Sequence, residues 1–320
     1  MPALPDRGVK RPFVPHQELE TRTGRLLMHS KEGFGEAIGH HGEFLQGVFE
    51  SEGRRLHRGL VSLPCPNLTS KARFLANGQI RVSVSPQRCV KAKRAAELTL
   101  ETFAQTRVGG SLAITSNIAV GRGMGSSTAD VVATILAVLD YLNVRTSIDR
   151  VMQIAVAAET ACDSTLFSQH AVLFAQREGL VIEAFTKSLP HVDLISVDSA
   201  ETKAVDTLIL KPAEYSQVEI EKFRSLRALL RQAINTSDLN LLGRVATASA
   251  RINQRFLRKP HFDHLEEIGV RHGAIGVQVA HSGTVVGLMF NPAEDRTAEH
   301  MELATRELRR SGFEPFIVHT

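Results

Sequence analysis

The chain has 320 residues, enough to bury a sizeable core and, on length alone, to form about two domains. Its 43% hydrophobic and 22% charged content is that of an ordinary globular protein, and no apolar run approaches the ~20 residues that a membrane span needs. A net charge of +4 spread over dispersed basic residues, with two tyrosines and no tryptophan, offers few stacking platforms for nucleic acid and suits a small anionic substrate.

Residues 1–32 carry Pro2, Pro5, Pro12 and Pro15 among mixed charges without a period. They read as a partly disordered extension, without the apolar core of a secretory signal. Between residues 33 and 48 glycines punctuate short apolar pieces, which predicts strand, loop and strand near a site. There Glu43 stands between glycine and aromatics as a candidate polar contact to substrate or nucleotide. The adjacent His40 and His41 point different ways on any regular element and read as non-ligands. Strands are expected over residues 60–63 and 69–75, separated by Pro64 and Pro66, and over 80–85. Residues 91–105 space Ala95, Leu98, Thr102 and Phe103 as an amphipathic helix with a basic start, and residues 111–116 alternate as a strand.

The densest signal follows: Gly121-Arg122-Gly123-Met124-Gly125-Ser126-Ser127-Thr128. Glycines let backbone N–H groups turn toward a ligand and let it come close, and the first turn of the next helix adds its dipole. This is the pattern of a phosphate cradle in which the Ser126 or Ser127 hydroxyl reaches a Mg²⁺. The plain alternative is a glycine–serine turn with a capping serine. The stretch has no Gly-Lys-Ser/Thr ending, and its helix starts after the serines, unlike a P-loop or a dinucleotide fingerprint.

A buried helix is expected over about 127–142 and a second up to about 159, opened by Thr146-Ser147-Ile148-Asp149 in the manner of a capping box. Just past it, Glu159 and Asp163 stand four residues apart. Beside a phosphate site, one carboxylate can hold Mg²⁺ while the other orients or deprotonates a substrate hydroxyl. An exposed pair would instead be solvated helix-end charge.

Strands are expected over 170–174, 180–185 and 192–197, with the turn at 188–191 as the boundary between domains of residues 33–188 and 189–320. Two long helices over 212–234 and 237–257 follow, the first with a basic face read as solvated. Residues 273–290 read as a hairpin whose tip, at 280–284, bears small residues and hydroxyls. A helix over 293–309 and a strand over 316–319 close the chain. Cys65, Cys89 and Cys162 lack CxxC spacing, which argues against zinc and disulfides and for a reducing cytoplasm.

The loop at 121–129, the early Gly/Glu segment and the late hairpin together resemble the three motifs of the GHMP kinase superfamily. The resemblance extends to its L-threonine kinase branch in Gly42-Glu43-Phe44-Leu45-Gln46-Gly47, in Gly123 through Asp130, in Glu159 through Asp163-Ser164-Thr165, in Lys259-Pro260 and in Ala280-His281-Ser282-Gly283-Thr284. It implies an α+β fold of two domains, the first of the ribosomal S5 domain 2 type and the second ferredoxin-like. It implies that ATP lies over Gly121, Arg122, Gly123, Met124, Gly125, Ser126, Ser127 and Thr128. Ser127 (or Ser126) and Glu159 would bind Mg²⁺, and Asp163 would face the substrate hydroxyl. Glu43, Gln46, His281, Ser282 and Gly283 would line the substrate site. Gly47-Val48-Phe49 stands where the superfamily carries Gly-Glu-His, and the third motif lacks the common Gly-Ala-Gly form. These departures leave the acceptor open between L-threonine and another, homoserine-like hydroxy compound. A competing class is a non-catalytic nucleotide- or RNA-binding protein that uses the S5-like domain and the basic helices. The kinase reading expects no nucleic-acid or membrane partner and leaves a homodimer open.

Overall fold

The computed structural model describes residues 32–53, 55–167, 170–199 and 213–320; the expected extension up to residue 31, and the start of the helix expected from 212, lie outside the described residues. The chain builds on two long antiparallel strands, β1 (Glu32–Glu50) and β2 (Leu56–Ala76). The predicted strand–loop–strand over 33–48 is thus one strand of 19 residues. Its glycines and histidines are absorbed by register shifts at Ile38/Gly39, His40/Glu43 and Glu43/Leu45. Pro64 and Pro66 likewise do not divide β2. Pairing jumps from Gly39↔Cys65 to Ile38↔Thr69, so residues 66–68 leave the ladder where a proline has no N–H to give it.

Next come β3 (Val82–Ser85), α1 (Val90–Phe103) and β4 (Gly110–Ser116), with β4 antiparallel to β2 and parallel to β3. Helices α2 (Ser126–Leu142) and α3 (Ile148–Glu159) follow, close to the predicted spans. The α3 cap is Ser147, whose side chain accepts from Arg150 N, rather than the predicted reciprocal box. A hairpin of β5 (Val172–Ala175) and β6 (Leu180–Ala184) leans on β2.

The second half comprises β7 (Asp193–Asp198), α4 (Gln217–Thr236), α5 (Leu239–Asn253), α6 (Phe262–Arg271), β8 (Gly276–Val279), β9 (Val285–Phe290), α7 (Thr297–Arg310) and β10 (Phe316–His319). Its strands lie in the order β10-β7-β9-β8, all antiparallel, with helices between first and second and between third and fourth. That is the ferredoxin-like arrangement. The sequence reading passed over α6, a 10-residue helix with no side-chain cap, although Phe262, Leu265, Ile268 and Gly269 face the core at helical spacing.

The Glu43↔Val279 pair joins β8 to β1, so that one sheet path runs from β10 to β3. One core cluster combines Phe44, Leu45 and Phe49 of β1 with Phe223, Leu230 and Leu242 of α4 and α5, so packing crosses residue 188. The basic face of α4, expected to be simply solvated, instead pairs its arginines with carboxylates of the sheet. Arg227 and Arg231 each approach Glu183 of β6 at 2.6 Å, and Arg224 pairs with Glu50 of β1. No helix among the described residues is long and apolar enough to cross a membrane.

Candidate active site

The glycine loop owes its shape to backbone that side chains resist: Gly121, Gly123 and Gly125 have φ of +77°, +82° and +76°. Gly125 is the N-cap of α2, and no side chain caps that end. The residues of the first turn, Ser126, Ser127 and Thr128, line a cleft of about 360 Å³ together with Gly121, Gly123, Met124 and Gly125. An open helix N-terminus over a concavity is a place for an anion. The loop is held from behind, with His40 N donating to Met124 O at 3.1 Å and Thr284 N to Arg122 O at 3.0 Å. Arg122, expected among the nucleotide ligands, is the exception. Its side chain pairs with Asp198, away from the cleft lining, and only its backbone shapes the loop.

Helix α3 ends at the cleft and delivers both carboxylates. Glu159 is 6% exposed; Ser127 Oγ donates to its Oε2 at 2.5 Å, Thr128 Oγ1 to its Oε1 at 2.6 Å, and Cys162 Sγ to Oε1 at 3.1 Å. Lys91 Nζ, at the start of α1, lies 3.6 Å from Oε2. Burial pushes the Glu159 carboxyl up, and these four neighbours oppose it. The hydroxyl that donates to Glu159 still has its lone pairs, and Ser127 is partly exposed to the cleft. Hard oxygen donors fixed beside an anion site fit a Mg²⁺ ion.

Asp163 sits beside them because Thr128 bridges the two carboxylates. Its Oγ1 lies 3.2 Å from Asp163 Oδ2 and accepts from Asp163 N at 3.4 Å. On the other side His40 Nε2 is 3.0 Å from Asp163 Oδ2. Burial alone would raise the Asp163 carboxyl, but His40 and then His281 hold it well below the usual carboxylate range. Burial works against the His40 imidazolium in turn, yet Asp163 and Glu43 carry its pKa up to about 9.

Behind this pair, Glu43 is 2% exposed and accepts from His281 N at 2.7 Å and from His281 Nδ1 at 2.9 Å. The His281 imidazole is desolvated, but Glu43 and Asp163 raise its pKa. Lys259, pushed down to about 8 by burial and partly restored by Glu43, donates to Gly283 O. Atoms of His40, Glu43 and Asp163 come within 4.8 Å of one another, close enough to hold a metal ion. Two histidines with raised pKa values and Lys259 already balance the two carboxylates, so the cluster is an ion-pair knot with no net negative charge to attract a cation. His41 faces away: its Nε2 meets Ser196 Oγ at 2.6 Å, and burial followed by the charge on His40 drops its pKa to about 4.

Of the predicted substrate residues, Gln46, His281 and Ser282 line the cleft. Glu43 and Gly283 do not. Glu43 is covered by His281, and Gly283 packs so tightly that a Cβ would come within 2.1 Å of Arg122 C. Both are framework rather than contact. The sequence reading missed His40, whose role depends on a residue 123 positions later, and Lys91, noted only as a basic helix start. It also missed Arg58, Arg177, Tyr215 and Asn253, which line the cleft without any motif to mark them.

Comparisons with known proteins bear on the family and the fold. Residues 90–173 match the family model of the GHMP kinases N terminal domain, and residues 227–310 that of the GHMP kinases C terminal. An L-threonine kinase of Citrobacter freundii is 32% identical over 188 residues, covering 56% of this chain and 61% of that protein. An L-threonine kinase of Salmonella typhimurium is 32% identical over 186 residues, covering 56% and 59%. The match thus spans about three fifths of these relatives' own length. The crystal structure of a homoserine kinase from Cytophaga hutchinsonii shares the fold with a TM-score of 0.67 at 15% identity, over 92% of this chain and 97% of that one. Both halves of the chain match the same family, and the chain belongs to the GHMP kinases.

Proposed function

We propose that this chain is a kinase that moves the γ-phosphoryl group of ATP to the hydroxyl of L-threonine or a similar hydroxy amino acid. The observation that carries the reading is the Ser127–Glu159–Thr128–Asp163 chain of contacts at the uncapped N-terminus of α2. An uncapped helix N-terminus, two oxygen donors suited to Mg²⁺ and a second carboxylate lie side by side there, which supports the reading. The likeness to L-threonine kinases supports this class of acceptor.

In this reading the first-turn amides of α2 and Lys91 hold the nucleotide phosphates, and Ser127 and Glu159 hold Mg²⁺. When bound, the ion neutralises charge on the transferring phosphoryl group. Asp163 accepts a hydrogen bond from the acceptor hydroxyl and aims its oxygen at phosphorus. Phosphoryl transfer asks for positioning and charge compensation more than for a strong base, so a carboxylate held ionised by His40 is adequate. A cytoplasmic setting and a homodimeric state stand beside this proposal as expectations from sequence.

The test is acceptor-dependent release of ADP across L-threonine, L-serine, L-homoserine and related alcohols, with Asp163→Asn alongside. We expect L-threonine or a near relative to give turnover, and Asp163→Asn to lower kcat by about 100-fold or more. ADP release indifferent to every acceptor, or full activity in Asp163→Asn, would overturn the reading.

A further inference from the structure

The phosphate chemistry occupies only part of the cleft. Beyond the glycine loop the lining includes the Gly47↔Gly59 pair of β1 and β2, and there Gln46, Arg58, Arg177 and Tyr215 border the same cavity. Arg58 Nη2 donates to Ala213 O at 2.6 Å, which fixes the guanidinium and leaves its remaining N–H groups for a ligand. Arg177 is exposed on the turn between β5 and β6. Neither arginine is ion-paired with a carboxylate among the described residues.

The surroundings favour an anion between them. Burial, and then the like charge of Arg177, push the Arg58 guanidinium down, with Tyr215, Glu178 and Glu214 opposing. Burial raises Tyr215 to about 12, so it remains a neutral phenol, and its hydroxyl donates to Asn253 Oδ1 at 2.7 Å. Asn253 in turn donates to Gln46 O at 3.1 Å, which ties this wall of α5 to β1. Next to Arg177, Gln176 lines the cleft with a buried Oε1 that has no hydrogen-bond partner among the described residues. Two guanidiniums and an acceptor oxygen are complementary to a carboxylate and an ammonium on one small molecule.

We infer that this wall reads the charged end of the acceptor, Arg58 and Arg177 taking its carboxylate and Gln176 Oε1 its ammonium. The substrate class is then a zwitterionic hydroxy amino acid, distinct from a sugar or an amino alcohol. This inference rests on the kinase reading above and adds the residues that choose its acceptor.

The experiment compares L-threonine with 1-aminopropan-2-ol, the same molecule without its carboxyl group, in wild type, Arg58→Gln and Arg177→Gln. Turnover gives KM for each acceptor and for ATP. Thermal stability of the nucleotide-free protein with and without 10 mM of each compound, on the order of a weak ligand's Kd, gives binding by itself. Wild type is expected to prefer L-threonine by about 100-fold in kcat/KM. Each variant is expected to raise the KM for L-threonine by about 10- to 100-fold, to erode that preference and to leave the KM for ATP within about twofold. A preference that survives in both variants, or is absent from wild type, overturns the inference. So does a rise in the KM for ATP in place of the acceptor, which would give the arginines to the nucleotide. Should wild type turn over neither compound, the kinase reading falls and binding alone decides. The wall then stands if L-threonine stabilises wild type and not Arg58→Gln or Arg177→Gln, and falls if it stabilises all three or none. Arg177 is exposed, so Arg177→Gln keeps the test free of a folding defect.

Discussion

Replacing His40 by Gln tests the buried ion-pair knot most directly. The imidazole is 1% exposed, and its pKa rises from 6.5 to about 9 despite burial, because Asp163 lies 3.0 Å from Nε2 and Glu43 3.7 Å from Nδ1. That difference corresponds to about 3 kcal/mol in favour of the charged, folded form. A pKa raised on folding contributes its full stability below the unfolded value of 6.5 and loses it as pH climbs through about 9. Gln retains an N–H near the position of Nε2 but no charge, so the variant has nothing to lose over this range. His281, also raised, acts in the same direction as His40. Lys259 acts in the opposite one, since burial lowers it from 10.5 to about 8 and folding thereby gains stability as pH rises between those values. Both remain in the variant, so the informative quantity is the gap between the two proteins. Urea unfolding should show wild type about 3 kcal/mol more stable at pH 6, with the gap closing toward pH 10. A gap that stays constant with pH would refute the charged-histidine account and leave His40 as a packing residue.

Two further outcomes follow from the same geometry. Glu159→Gln keeps the shape of the carboxylate but removes its charge beside Ser127, so the Mg²⁺ concentration for half-maximal activity should rise by about tenfold or more. An unchanged Mg²⁺ titration would take Glu159 out of the proposed metal site. Gly283→Ala sets a methyl group within 2.1 Å of Arg122 C and 2.2 Å of Gly123 N, both backbone atoms that cannot step aside. It should lower the melting temperature and raise the KM for ATP together, since the loop must move; a neutral variant would mean that the hairpin does not set the loop.

The glycine loop and the Glu159/Asp163 pair were legible because their chemistry is local: three glycines in alternation, and two carboxylates within one turn of a helix end. The family resemblance sets Ser127 (or Ser126) with Glu159, and Ser127 meets it at 2.5 Å. What the sequence hid depends on distant partners. His40 looked like one of two structural histidines, and only the fold sets it against Asp163. Glu43 looked like a ligand contact because it is a carboxylate in a glycine-rich segment, whereas it is buried behind the cleft and accepts from His281. β1 and β2 were divided in two because glycine and proline normally end strands; here bulges take up the irregular residues and the ladder resumes. The arginines of the far wall belong to no motif at all. Arg58 sits on β2 and Arg177 on the turn after β5, and they are neighbours only after β5 pairs with β2.

The Glu43–His281 contact joins residues 238 positions apart, and Lys259 reaches Gly283 beside it. Synthesis runs from the N-terminus, so β1, the glycine loop and Asp163 leave the ribosome well before these cations exist. Until then His40 is the one cation of the knot beside the carboxylates of Glu43 and Asp163, and both cannot enter the interior fully compensated. Completion of the site therefore waits until His281 has been made. Until β8 is made, the long β1–β2 ribbon of the nascent chain carries an unpaired edge where β8 will later dock.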